Sequence, residues 1–285
     1  MRIHHLDGGT MRPFGGRLLD GVGGLTRRAE MVCHCVLIEL DDRLVLIETG
    51  IGEGSVHRPD EWLGRRFIRM TRPVLDLDGT VARRIEALGY RREDVTDIVL
   101  THLDLDHAGG LADFPHAKVH VYGEELRALE GKYGPREKFR YRAAQFAHGP
   151  LWESYDELGE PWFGFGAVRQ LRGLPPELLI IPLAGHTRGH AGIAIDTGDG
   201  WKFSVGDAYF HPGQLDQPPH QPPGATLFER LVQTVPAARI DNQQRLRELI
   251  SDHREEVTVF CAHNALELRT LQGIMPPSPS TQAHR

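Results

Sequence analysis

The chain has 285 residues, 40% of them hydrophobic and 25% charged, with a formal net charge of −6. This is enough chain for one large core or two small ones, with an ordinary globular composition. The negative balance works against nonspecific nucleic-acid binding, which needs clustered Lys and Arg, so no nucleic-acid partner is expected. The opening "MRIHHLDGGTMRPFGG" lacks the apolar stretch of a signal peptide, and no run of about 18 apolar residues suggests a membrane span. A cytoplasmic protein with no membrane partner is the expectation. Cys33, Cys35 and Cys261 are an odd, sparse set that gives no disulfide framework. Cys33 and Cys35 lie two apart in an apolar run and read as small core hydrophobes.

In chain order, residues 31–50, "MVCHCVLIELDDRLVLIETG", read as two apolar strands joined at Asp41–Asp42. "TVARRIEALGY" places Val81, Ile85 and Leu88 at helical spacing, with Gly89 suited to its C-terminus. "VTDIVLT" reads as a buried strand, "AKVHVYG" as another, and "EELRALEG" as a short helix. Residues 132–173 change character: Tyr133, Phe139, Tyr141, Phe146, Trp152, Tyr155, Trp162, Phe163 and Phe165 fall there without a clean period. They read as an aromatic-rich insertion, either lying over a pocket or packing a long excursion. "LLIIPLAG" and "AGIAID" are strands flanking "HTRGH"; "WKFSVGDA" is a strand ending at Asp207; "HPGQLDQPPHQPPG" is a Pro-rich loop. "DNQQRLRELISDHREE" is an amphipathic helix, and "VTVFCAH" a final strand ending at His263. The organisation is one domain over residues 1–273 with a disordered tail at 274–285.

The stretch that carries chemistry is "THLDLDHAGG", residues 101–110. In an extended chain alternate side chains share a face, so His102, Asp104 and Asp106 converge, and His107 turns to a second centre if the chain bends at Asp106. Imidazole and carboxylate groups suit Zn, Fe and Mn ions. His186 in "AGHTRGH", Asp207 in "VGDA" and His263 in "CAHN" each follow a β-like run. With the opening stretch they supply seven ligands, enough for two metals sharing a bridging group.

In order, "HLDLDH", "GHTRGH", "GDA" and "CAH" resemble the signature of the metallo-β-lactamase superfamily of metal-dependent hydrolases, and "LVLIETG" resembles its "DTG" segment with Glu48 in place of aspartate. The resemblance spans roughly residues 31–270. It implies an α/β fold, an αββα sandwich of two mixed sheets flanked by helices, with two divalent metal ions at one edge. Zinc stands first, with manganese or iron as alternatives. By position, His102, Asp104 and His186 would hold the first metal, Asp106, His107 and His263 the second, and Asp207 would bridge them. Asp104 departs from the usual histidine and makes the first site harder and more anionic. His190 reads as a supporting or packing residue. His4, His5, His34, His57, His116, His120 and His253 have no motif partners.

The chemistry implied is attack by a metal-bridging hydroxide on a carbonyl or phosphoryl centre, with Asp106 also shuttling a proton and Tyr209 either hydrogen-bonding the substrate carbonyl or packing. "THLDLDHAGGL" and the tyrosine after Asp207 look most like the lactonase-like branch, so a small-molecule lactone or carboxylic ester is the expected substrate. The alternatives are a phosphodiesterase or nuclease of the same fold, to which the cluster Arg65, Arg66, Arg69 and Arg72 would contribute, and a metal-binding module without turnover. The oligomeric state is left open, a dimer included.

Overall fold

Arg2–Met11 (β1), Met31–Glu39 (β2), Leu44–Ile47 (β3), Val95–Val99 (β4), Lys118–Tyr122 (β5) and Leu151–Tyr155 (β6) lie side by side in chain order in one sheet. Arg169–Gln170 (β7), Leu178–Pro182 (β8), Ala191–Asp196 (β9), Trp201–Ser204 (β10) and Val257–Phe260 (β11) form the second, in the order β11-β10-β9-β8-β7. Both sheets mix parallel and antiparallel pairs. The computed structural model describes residues 1–134, 137, 140–156, 159–166 and 169–274. Phe139 and the tail beyond residue 274 lie outside the described residues.

The period-2 pattern decides which layer each side chain joins. Val36 and Ile38 of β2, Val45 and Ile47 of β3 and Val99 of β4 face Leu178, Ile180, Ile193 and Ile195 of the second sheet, forming the core between sheets. The alternate residues Cys35, Leu37, Leu44, Leu46 and Ile98 face outward, against Val81, Ala82 and Ile85 of the helix Val81–Ala87. Leu179, Ile181, Ala194 and Phe203 on the other outer face pack against Leu246 and Leu249 of the helix Pro236–His253. Each such buried aliphatic side chain contributes roughly 1.5–3 kcal/mol. Strands buried on both faces read as continuous apolar runs, and the layers are the expected αββα sandwich.

Several elements depart from the sequence reading. The strand β1, "RIHHLDGGTM", was not anticipated; it pairs antiparallel with β2. β10 stops at Ser204 and β11 at Phe260, so Asp207 and His263 lie in the loops three residues beyond. Part of the Pro-rich loop begins a helix, Pro223–Val232, because proline is tolerated in a first turn. In the segment 132–173, residues 151–155 supply the edge strand β6 of the first sheet, beside β5. Trp162 packs against Phe165, Trp201 and Phe203 in the outer core of the second sheet. The loops that follow β3, β4, β8, β10 and β11 open on one edge of the sandwich. There Ala191 N–H donates to the Thr101 carbonyl at 2.9 Å and joins the two sheets.

Candidate metal centre

The loop after β4 brings His102, Asp104, Asp106 and His107 to this edge. The loop after β8 adds His186, and the loops after β10 and β11 add Asp207 and His263. All are buried except Asp104, whose side chain is 17% exposed. Asp207 sits at the middle. One carboxylate oxygen, Oδ1, lies 3.1 Å from His263 Nε2 and 3.4 Å from His107 Nε2; the other, Oδ2, lies 3.3 Å from His186 Nε2 and 4.0 Å from His102 Nε2. Asp106 Oδ2 is 3.6 Å from His263 Nε2. Two groups close enough to hold an ion share Asp207: His102 and His186 with Asp207, and His107 and His263 with Asp207; Asp106 joins His263 and Cys33 in a third. Asp104 lies against the first of these, its Oδ2 2.9 Å from His186 Nε2 and 3.6 Å from His102 Nε2.

The polar accounting fits a cation. His263 Nδ1 lies 2.7 Å from the Val32 carbonyl, which can only accept, so Nδ1 carries a proton and, in the neutral ring, Nε2 presents a lone pair. His107 Nδ1 likewise donates to Glu48 Oε2 at 2.9 Å, leaving its Nε2 lone pair 3.3 Å from that of His263. Among the described residues, His102 Nε2 and Asp207 Oδ1 are buried and have no hydrogen-bond partner. Electron pairs facing one another in a buried site are costly unless a proton or metal lies between them. The titration behaviour says the same. His263, His107 and His186 outweigh burial and hold the Asp207 carboxyl well below its usual range. Burial opposes charge on His107, yet Asp207 and Glu48 prevail and raise it well above its usual value. Burial pushes the Asp106 carboxyl up, with Asp207 and Asp104 adding to it against the pull of His107 and His263.

Supporting residues, several of them unforeseen, fix these groups. Glu48 takes a left-handed backbone, φ 63°, which turns its carboxylate so that Oε1 accepts from Thr101 N–H at 2.7 Å while Oε2 holds His107. His190 donates from Nδ1 to the Leu183 carbonyl and accepts Asp207 N–H at Nε2; it is a supporting residue. Gly206 has φ 50°, and a Cβ there would meet Thr101 Oγ1 at 2.6 Å and His190 Nε2 at 2.8 Å, so the turn into Asp207 requires glycine. Glu125 accepts from Leu103 N–H, Tyr141 Oη–H and Thr187 Oγ1–H, tying the ligand loops together. Arg140 reaches Asp104 and His186. Cys33, read as core, also lies beside Asp106 and His263.

Of the two readings of Tyr209, the structure shows the packing one. Its ring is buried in the core and its hydroxyl donates to Glu267 at 2.8 Å, so it is not turned to a substrate carbonyl. The next residue takes the place over the site: Phe210 stacks on His263 at 5.7 Å and meets His186 edge-on at 5.9 Å. Of the histidines without motif partners, His120 pairs with Asp97 and Tyr155, and His5 with His34. Among the described residues no helix is long and apolar enough to cross a membrane.

A fold of this kind with a buried His/Asp cluster at one sheet edge defines a metallo-hydrolase architecture. The chain belongs to the metallo-beta-lactamase superfamily, whose family model matches residues 28–228. It is a hydrolase of that superfamily. A protein of Mycobacterium tuberculosis named as a probable metallo-hydrolase is 40% identical over 266 residues, covering 93% of this chain and 80% of the relative. An N-acyl homoserine lactonase of Bacillus cereus is 24% identical over 163 residues, covering 57% of this chain and 58% of the relative. Among solved structures, an N-acyl homoserine lactone hydrolase with N-hexanoyl-L-homoserine at its catalytic metal centre superposes with a TM-score of 0.68 at 18% identity, covering 94% of this chain and 95% of that one. A dizinc quorum-quenching lactonase gives 0.61 at 17%, covering 92% and 86%. At such identities these two neighbours establish the fold alone.

Proposed function

We propose that the protein opens a lactone, or cleaves a related carboxylic ester, with divalent ions held by His102, Asp104, His186, Asp106, His107, His263 and Asp207. The observation that carries this reading is the wall of the site. Phe210, stacked on His263, belongs to an apolar cluster with Met11, Met31, Cys33 and Ile51, flanked by partly buried Phe67, Leu75, Phe228 and Val232. The partly buried members of this cluster, rather than its buried core, are the ones placed to meet an acyl chain attached to a carbonyl. Such an apolar wall suits a polyanionic backbone poorly. The lactonase names among the relatives point the same way.

Bound there, zinc, or manganese or iron favoured by the extra carboxylate, would polarise the carbonyl and bring the pKa of a shared water near neutrality. The chain's own residues do the rest. Glu48, the Val32 carbonyl and His190 fix His107, His263 and Asp207, so no reorientation is needed during reaction. Asp106, buried with Oδ2 3.6 Å from His263 Nε2, carries a proton to the leaving alkoxide. Phosphodiester cleavage is the less favoured reading, because Arg65 is paired with Asp60 and Arg72 lies over the Phe14 ring.

The test is a hydrolysis panel of lactones, aryl esters and phosphodiesters, with Zn, Mn and Fe each supplied to metal-free protein. Metal-dependent turnover of lactones or esters above phosphodiesters is expected. Preference for phosphodiesters would sink the substrate class, and no turnover with any metal would favour a binding module.

A further inference from the structure

We propose that Arg140 is a built-in cation of the first metal position, so that the chain holds one metal firmly at the Asp106, His107, His263 and Asp207 end and a second only weakly. The inference rests on the metal-dependent reading above and adds how the two positions differ. Arg140 Nε–H donates to Asp104 Oδ1 at 2.9 Å and Nη2–H to Oδ2, a two-pronged pair with each side chain 17% exposed. Nη2 also lies 2.8 Å from His186 Nε2, and Nη1–H donates to the Val232 carbonyl at the end of the helix Pro223–Val232. The planar fork of arginine matches a carboxylate in this way, whereas a lysine ammonium cannot.

Two further contacts show that this placement is built. The next residue, Tyr141, donates its hydroxyl to Glu125, the same carboxylate that holds Leu103 of the ligand loop and Thr187 beside His186. Residues 140 and 141 are therefore anchored to both loops that supply the first position. The consequence follows from electron pairs and charge. Both Asp104 oxygens are engaged by the guanidinium, and the same cation lies against the His186 nitrogen that an ion would use. A divalent ion must displace that cation or sit beside it, and like charges at this range repel strongly away from bulk water. Among the described residues no Lys or Arg pairs with Asp106 or Asp207 at the other end. The aspartate at position 104 then has a reason, since imidazole could not accept the two prongs of Arg140.

The experiment titrates metal-free protein with Zn(II) and Co(II) against a competing chelator, with the visible Co(II) absorption counting occupied positions. The parent should show one firm equivalent and a second at least tenfold weaker. Arg140→Gln should tighten the weaker equivalent at least tenfold and leave the firm one within threefold. Arg140→Lys keeps the charge without the fork, so its second equivalent should stay weak. Two equal affinities in the parent, or unchanged affinities in Arg140→Gln, would overturn the proposal. Should Arg140→Gln fail to fold, the parent's two affinities and the lysine variant decide, a tight second equivalent in the lysine variant counting against it. A parent that binds no metal would overturn the functional reading itself, an outcome distinct from two ions bound equally.

Discussion

Replacing Glu48 with glutamine should weaken metal binding although Glu48 is not itself among the candidate ligands. Its two oxygens serve two donors at once, Thr101 N–H at 2.7 Å and His107 Nδ1–H at 2.9 Å. An amide can satisfy only one of them in the same way. If its oxygen stays on Thr101, its NH₂ faces His107 Nδ1, which must then accept; the proton moves to Nε2 and the lone pair that faces Asp207 and His263 is gone. If its oxygen turns to His107, the buried Thr101 N–H meets an NH₂ and is left unpaired, at a cost of about 1–3 kcal/mol. Loss of such an orienting partner typically lowers metal affinity 10- to 100-fold, or about 1.4–2.8 kcal/mol. The assay is chelator competition at fixed pH, paired with urea unfolding of the metal-free protein. Glu48→Gln should lose at least tenfold in affinity, at least 1 kcal/mol in stability, or part of each. Affinity within threefold and an unfolding free energy within about 0.5 kcal/mol of the parent would show that Glu48 does not hold His107 in its metal-binding tautomer.

Asp207→Ala should strip metal from both groups, because each includes an Asp207 oxygen, and elemental analysis that still found a full complement would show the assignment to be wrong. Trp162→Ala should cost about 3–5 kcal/mol of stability, as for a large aromatic removed from a core, with little change in acyl preference; an altered preference in a stably folded variant would speak for a lid. Burial pushes the Asp113 carboxyl up to about 7, so the folded chain binds that proton more tightly than the unfolded one and this group's contribution to stability declines as pH rises from about 4 to about 7. Asp113→Asn should therefore stabilise by about 1–3 kcal/mol at pH 8 and little at pH 4.5; melts showing the same effect at both pH values would contradict this.

What could be read in the sequence follows from how local each signal is. β2 and β3 were legible because an apolar run broken by Asp41–Asp42 specifies a hairpin. The ligand loops were legible because four ligands crowd within residues 102–107 and the other three follow apolar runs. β1 was hidden because seven of its ten residues are polar, charged or glycine, and its strand state comes from pairing with β2. The helix Pro223–Val232 was hidden by the prolines at its start. Arg140 and Glu125 lie far from the ligand loops in sequence, so no spacing reveals that one pairs with Asp104 and the other ties Leu103 to Thr187. Glu48 carried a sequence signal through its "ETG" context, but its hold on His107 depends on a left-handed backbone that only the fold displays.

Metal-dependent opening of a lactone is tested by the rate of ring opening of an N-acyl homoserine lactone by chelator-stripped protein before and after metal is restored. No turnover above background is expected in the stripped protein, and recovery on adding Zn, Mn or Fe. Ring opening that persists without metal, or restored protein that leaves lactones and esters intact while cleaving phosphodiesters, would contradict metal-dependent lactone opening.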